Sequence, residues 1–158
     1  MRRRRAVWLL CAIAVIVHTA VVMVAYVPSK SMEPTVHAHS IIFGWRLPYV
    51  IGDPEPQRGE IIVFKDQEER GVLMIKRVIG VAGDTIDIKE GVVFINGEEI
   101  DEEYLPEGTV TSTGNVSNWV VPDGHCFVMG DNRGSSFDSR YRTHTFIPYS
   151  ALQARLIR

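Results

Sequence analysis

The sequence predicts a mainly β fold: one β-rich domain preceded by a single N-terminal transmembrane helix. Three observations carry this. A stretch of 22 uncharged residues follows a run of arginines, short apolar or alternating runs recur between turn residues after it, and no other long segment has helical periodicity.

Arg2, Arg3, Arg4 and Arg5 come first, and in residues 6–27 the most polar side chains are His18 and Thr19. A helix rising about 1.5 Å per residue would carry that stretch roughly 33 Å, enough to cross a bilayer. A cleaved secretory signal has a shorter apolar core, about 7–15 residues, and ends in a small-x-small site, whereas this stretch ends Ala25-Tyr26-Val27. The expected organisation is therefore a cytoplasmic basic tail (1–5), an uncleaved signal-anchor helix (6–27) and an extracytoplasmic domain (28–158), with the arginines held inside by the positive-inside rule. This describes a single-pass protein of the cell membrane, with the lipid bilayer as one partner.

Strands are expected over 40–43, 60–65, 72–80, 85–89, 92–96, 118–121 and 126–129. Asn96-Gly97 predicts a two-residue hairpin, because both central positions favour positive φ, and Pro122-Asp123-Gly124 predicts another turn. Glu98, Glu99, Asp101, Glu102 and Glu103 read as a solvated acidic face rather than a cation site, and residues 109–118 as a mobile surface loop.

None of the 19 acidic residues precedes Glu33, so the chain beyond residue 27 sets 13 basic residues against 19 acidic ones, a net of −6. That balance opposes nucleic-acid binding, which needs clustered cations. Cys11 in the apolar stretch and Cys126 in the outer domain are too far apart to pair, and Cys126 reads as a buried apolar residue. His37 and His39 share a strand face, with His125 or His144 as a conceivable third ligand. No carboxylate or cysteine cluster completes such a site, and no metal or other cofactor is expected.

Two features carry chemistry. Pro28-Ser29-Lys30-Ser31-Met32-Glu33-Pro34-Thr35 is framed by prolines and is expected to be extended and stiff. Lys76 sits in the apolar run 72–79, sharing a strand face with Met74 and Val78 while Arg77 points the other way. Serine is a weak nucleophile without a base beside it, and a lysine desolvated by apolar neighbours becomes neutral enough to serve.

The third feature is Gly130-Asp131-Asn132-Arg133-Gly134-Ser135-Ser136-Phe137-Asp138-Ser139-Arg140-Tyr141. With Ser31-Met32-Glu33-Pro34-Thr35, Lys76-Arg77-Val78-Ile79-Gly80 and Gly83-Asp84, it resembles the ordered motifs of type I signal peptidases, the membrane-anchored Ser/Lys-dyad leader peptidases. The resemblance covers nearly the whole outer domain. It implies a serine endopeptidase of β fold in which Ser31 attacks the scissile carbonyl, Lys76 is the general base, and the Ser29 hydroxyl and Ser31 N–H form the oxyanion hole. It also implies that Ser136 orients the lysine by a hydrogen bond and that Asp138 and Arg140 form a supporting pair. Val27, Met32, Val36, Met74 and Ile75 would line shallow pockets for an extended substrate, a signal-peptide-bearing preprotein cut after an Ala-x-Ala-like site.

The sequence departs from the family's pattern at Ala82, where proline is usual, and at Arg142-Thr143, where Trp-Gly is usual. The alternatives are a pilin or conjugation-type maturation peptidase of the same chemistry and an inactive membrane-tethered peptide-binding relative. Since Ser31 lies four residues past the apolar stretch, its Cα is expected within roughly 14 Å of the stretch's end.

Overall fold

The computed structural model describes Trp8 and residues 21–51, 54–113 and 116–157. Eleven strands form two antiparallel sheets among these residues. In chain order they are β1 (Val22–Tyr26), β2 (Ile41–Trp45), β3 (Ile61–Lys65), β4 (Leu73–Gly80), β5 (Thr85–Lys89), β6 (Val92–Ile95), β7 (Glu98–Glu99), β8 (Asn118–Val120), β9 (His125–Met129), β10 (Ile147–Pro148) and β11 (Leu152–Leu156), with one helical turn, α1 (Leu47–Val50), after β2. The larger sheet runs β1-β2-β11-β3-β4-β9-β10 and the smaller β7-β6-β5-β8.

The expected strands all form, with shifted ends. β3 is apolar at Ile61, Ile62, Val63 and Phe64 because the protein buries both of its faces. Ile61 and Val63 pack with Val27, Met32, Val36, Ile42 and Ala154, while Ile62 and Phe64 pack with Val78, Cys126, Val128 and Ile147. Asn96 and Gly97 take φ values of 54° and 86°, as a type I′ hairpin requires, and the β6–β7 pairing follows directly.

Several expectations are corrected. A helix over 6–27 does not reach residue 27, because Val22–Tyr26 is a strand paired with β2 in the register Val22↔Trp45 to Tyr26↔Ile41. The β-branched and aromatic residues there favour a pleated surface, and Met23 and Ala25 pack against the core. Residues 6–20 of that stretch other than Trp8 lie outside the described residues, Cys11 among them; among the described residues no helix is long and apolar enough to cross a membrane.

The acidic face is not wholly solvated, since Glu102 Oε2 accepts from Arg133 Nη1 at 2.9 Å. The 109–118 loop is anchored too: Thr111 is buried, donates from its N–H to Gly91 O at 2.9 Å, and accepts from Arg133 Nη1 at 2.6 Å. The proline-framed segment turns rather than extends, through Glu33 N to Lys30 O (3.1 Å) and Val36 N to Met32 O (2.9 Å). That turn presents Ser31 at its start.

Candidate active site

Lys76 occupies the middle of β4, opposite Ile62 of β3 and on the face that carries Met74 and Val78. Only 2% of the residue is exposed, so its amine does not snorkel to solvent. Its Nζ lies 2.8 Å from Ser31 Oγ and 2.9 Å from the Ile75 carbonyl oxygen. Burial lowers its pKa from 10.5 to about 8, the Arg142 cation acting in the same direction and the Asp138, Asp131 and Asp66 carboxylates opposing. Ser29 Oγ stands 3.2 Å from Ser31 Oγ.

The segment bearing Ser31 is held from below by the loop after β9. Asn132 N donates to Ser31 O at 3.0 Å and Asn132 Nδ2 to Lys30 O at 3.2 Å. Gly130 must lack a side chain, because a Cβ there would come within 2.3 Å of both Ser31 O and Ser136 Oγ. Asp138 accepts from Gly130 N at 2.9 Å and from Arg140 Nε and Nη2 at 2.8 Å each, with both side chains fully buried. Arg77, on the other face of β4, forks onto Asp131 at 2.8 and 2.6 Å and stacks 3.7 Å from the Tyr104 ring centroid. These buried pairs satisfy the two charges bidentately, the geometry in which an arginine–carboxylate pair gives most directional hold.

Ser31 and Lys76 open into a mostly apolar groove of about 340 Å³. Ala25–Ser29 and Val72–Ile75 contribute to its lining, together with Ser135 and Phe137.

Residues 1–157 match the family model described as signal peptidase, peptidase S26. The chain belongs to that family. It is 36% identical over 148 residues to a probable signal peptidase I-2 of Synechocystis, covering 90% of this chain and 65% of the relative. A signal peptidase I of Bacillus licheniformis is 39% identical over 121 residues, 72% of this chain and 63% of the relative. The chain thus spans just under two thirds of the length of these relatives. A crystal structure of a signal peptidase I from Enterococcus faecalis superposes with a TM-score of 0.54 at 30% identity, covering 65% of this chain and 97% of that one.

Of the residues singled out from this family's motifs, the structure brings Ser29, Ser31 and Lys76 together and pairs Asp138 with Arg140. Ser136 does not bond the lysine: its Oγ is buried and has no hydrogen-bond partner among the described residues, while the amine uses Ser31 Oγ and Ile75 O. Val27, Met74 and Ile75 line the groove, whereas Met32 and Val36 lie in the core cluster beside it. Asn132, Arg77–Asp131 and Arg133–Glu102 were not assigned roles from the sequence. The first two sit inside the quoted motifs, but which side chain each one meets depends on contacts far apart in the chain. Cys126 is fully buried, with its thiol pushed up to about 12 by desolvation, which makes it a poor nucleophile.

Proposed function

We propose that this protein is a signal peptidase I, a serine endopeptidase that removes N-terminal signal peptides from exported preproteins. The observation that carries the reading is the 2.8 Å contact between a buried lysine amine and the Ser31 hydroxyl at the floor of an apolar groove. Neutral Lys76 takes the Ser31 proton as Oγ attacks the scissile carbonyl; the oxyanion is stabilised by the Ser29 hydroxyl and the Ser31 N–H. The Lys76 ammonium then protonates the leaving amine, and the acyl group remains on Ser31 as an ester. Water, deprotonated by Lys76, hydrolyses that ester and restores the pair. We assign Ser136, whose buried hydroxyl is unused, the role of accepting a hydrogen bond from the amine during this cycle.

The groove suits an extended peptide. β4 meets β9 only from Arg77 onward, so Leu73–Ile75 pair with β3 on one side and border the groove with the other, a site for strand addition. The apolar lining supports small apolar side chains at alternate positions before the cut.

The same reading puts the protein at a membrane. Val24, Tyr26, Ile41 and Phe43 form exposed cross-strand neighbours on one face of β1–β2, and β1 lies at the C-terminal end of the uncharged stretch. Apolar and aromatic side chains of this kind sit well at the lipid interface, with the residues ahead of β1 as a single-pass anchor, the N-terminus inside and the β domain outside.

The test is cleavage of a preprotein by the full-length protein in proteoliposomes, with the new N-terminus sequenced. One cut after an Ala-x-Ala-like site is expected; no cleavage, or cuts scattered elsewhere, contradicts the reading. Because Val27 is a core residue hydrogen-bonded to both Ser40 and His39, a flexible Gly/Ser linker that alters membrane depth belongs ahead of β1, between Ala20 and Val21. It is expected to slow processing of membrane-inserted preprotein about tenfold while leaving a short soluble peptide nearly unaffected. Equal loss on both substrates, or none on either, contradicts the membrane-registration part alone.

A further inference from the structure

Arg142 has 1% of its side chain exposed and pairs with Asp66, itself 8% exposed, across 76 residues of chain. Its Nε is 3.8 Å from a Glu68 oxygen, and its Cζ is 5.7 Å from the Phe137 ring centroid. Two segments of the site meet here. The Arg142 N–H donates to Asp138 O at 3.1 Å, which fastens the guanidinium to the loop that carries Ser136, Phe137 and Asp138. Asp66 N donates to Val72 O at 2.9 Å, closing the hairpin whose second strand supplies Val72–Ile75 to the groove and Lys76 to Ser31. His144 N adds a 3.2 Å bond to Glu68 Oε1 on the same seam.

We propose that the buried Arg142–Asp66 pair positions the peptidase site, clamping the groove wall at Val72–Ile75 to the loop that carries Phe137 and Asp138 and so fixing the surroundings of Lys76. This rests on the peptidase reading above. A buried ion pair is a poor source of net stability but a geometrically demanding one, which suits a clamp between two segments that must keep their spacing. The charges act on the lysine as well. Around Lys76 stand Asp138 and Asp131 from the catalytic loop, Arg142 from its end and Asp66 from the hairpin. Asp138 is paired with Arg140 and Asp131 with Arg77, and Glu68 lies beside Arg142. The Arg142 cation disfavours protonated Lys76, whereas the Asp66 carboxylate favours it.

The pair therefore makes a signed prediction. In detergent-solubilised full-length protein acting on a soluble signal-peptide-like substrate, R142M and D66N are each expected to raise KM about tenfold, with kcat above the acid limb within about threefold of wild type. The acid limb of the pH profile is expected to move to higher pH in R142M and to lower pH in D66N. R142K, which keeps the charge but loses the planar fork, should raise KM and leave the limb in place. If R142M does not fold, R142K and D66N decide. Unchanged KM in the folded variants overturns the proposal, and so does any behaviour of the limb other than these shifts, because a merely loosened structure has no reason to respond to the sign of the removed charge. Wild-type protein without turnover on the peptide would refute the peptidase reading itself, and this proposal with it; normal wild-type turnover with unresponsive variants refutes the proposal alone.

Discussion

Ser31→Ala and Lys76→Ala are each expected to lower kcat by at least about 10³-fold on a signal-peptide substrate, and the double variant to cost little more than either single one. The two side chains share one proton across 2.8 Å, so removing either leaves the other without its task. Non-additivity distinguishes this from two independent contributions to binding, whose losses would multiply. Residual turnover is expected, since the groove and the oxyanion donors still act on the substrate. The control is thermal unfolding: Ser31→Ala removes one hydroxyl and should leave the melting curve nearly unchanged. Near-normal turnover in either single variant contradicts the dyad.

Lys76→Arg is expected to be as inactive as Lys76→Ala, because a guanidinium stays protonated and has no lone pair to accept the Ser31 proton. In the wild type, the amine's pKa near 8 places the acid limb of activity there, with rate falling about tenfold for each pH unit below it. Stability follows the same group. Burial depresses the folded-state pKa below the unfolded value of 10.5, so the unfolded chain holds the proton through the interval from about 8 to 10.5 and stability rises with pH across it. Below about pH 8 the buried charge costs on the order of 3 kcal/mol. Lys76→Met is therefore expected to be more stable than wild type at pH 7, by an amount that shrinks as pH approaches 10. Full activity in Lys76→Arg, or a Lys76→Met variant less stable at pH 7 and unresponsive to pH, contradicts a depressed lysine.

Much of the fold was legible because its strands announce themselves locally. Val92–Ile95 alternates between buried and less buried positions and ends at Asn96-Gly97, and β3 is a short apolar run bounded by turn residues. β1 was concealed by hydrophobicity: within an unbroken apolar stretch nothing marks where a helix gives way to a strand, although Val22, Val24 and Tyr26 favour the latter. β11 alternates too, with Leu152 and Ala154 buried, but two of its five residues are polar and the signal is too short to mark a strand. In the site, Ser31 and Lys76 were readable because each is chemically out of place, a serine between prolines and a lysine in an apolar strand. The arginine pairs were not. Arg77–Asp131, Arg133–Glu102 and Arg142–Asp66 join residues 54, 31 and 76 apart, and one sequence carries no record of such partners. Arg142, visible beforehand only as a departure from the family's pattern, is a buried charge seated where the hairpin and the catalytic loop meet.

The most direct measurement is chemical identification of the acyl-enzyme. Protein mixed with a short ester or peptide substrate and quenched in acid, where a serine ester persists, is digested and its modified residue located by mass spectrometry. A substrate-derived acyl group on Ser31 is expected, lost on hydroxylamine treatment and absent from Ser31→Ala. Turnover that continues with no acyl group at Ser31, or with the group on another residue, would contradict the mechanism.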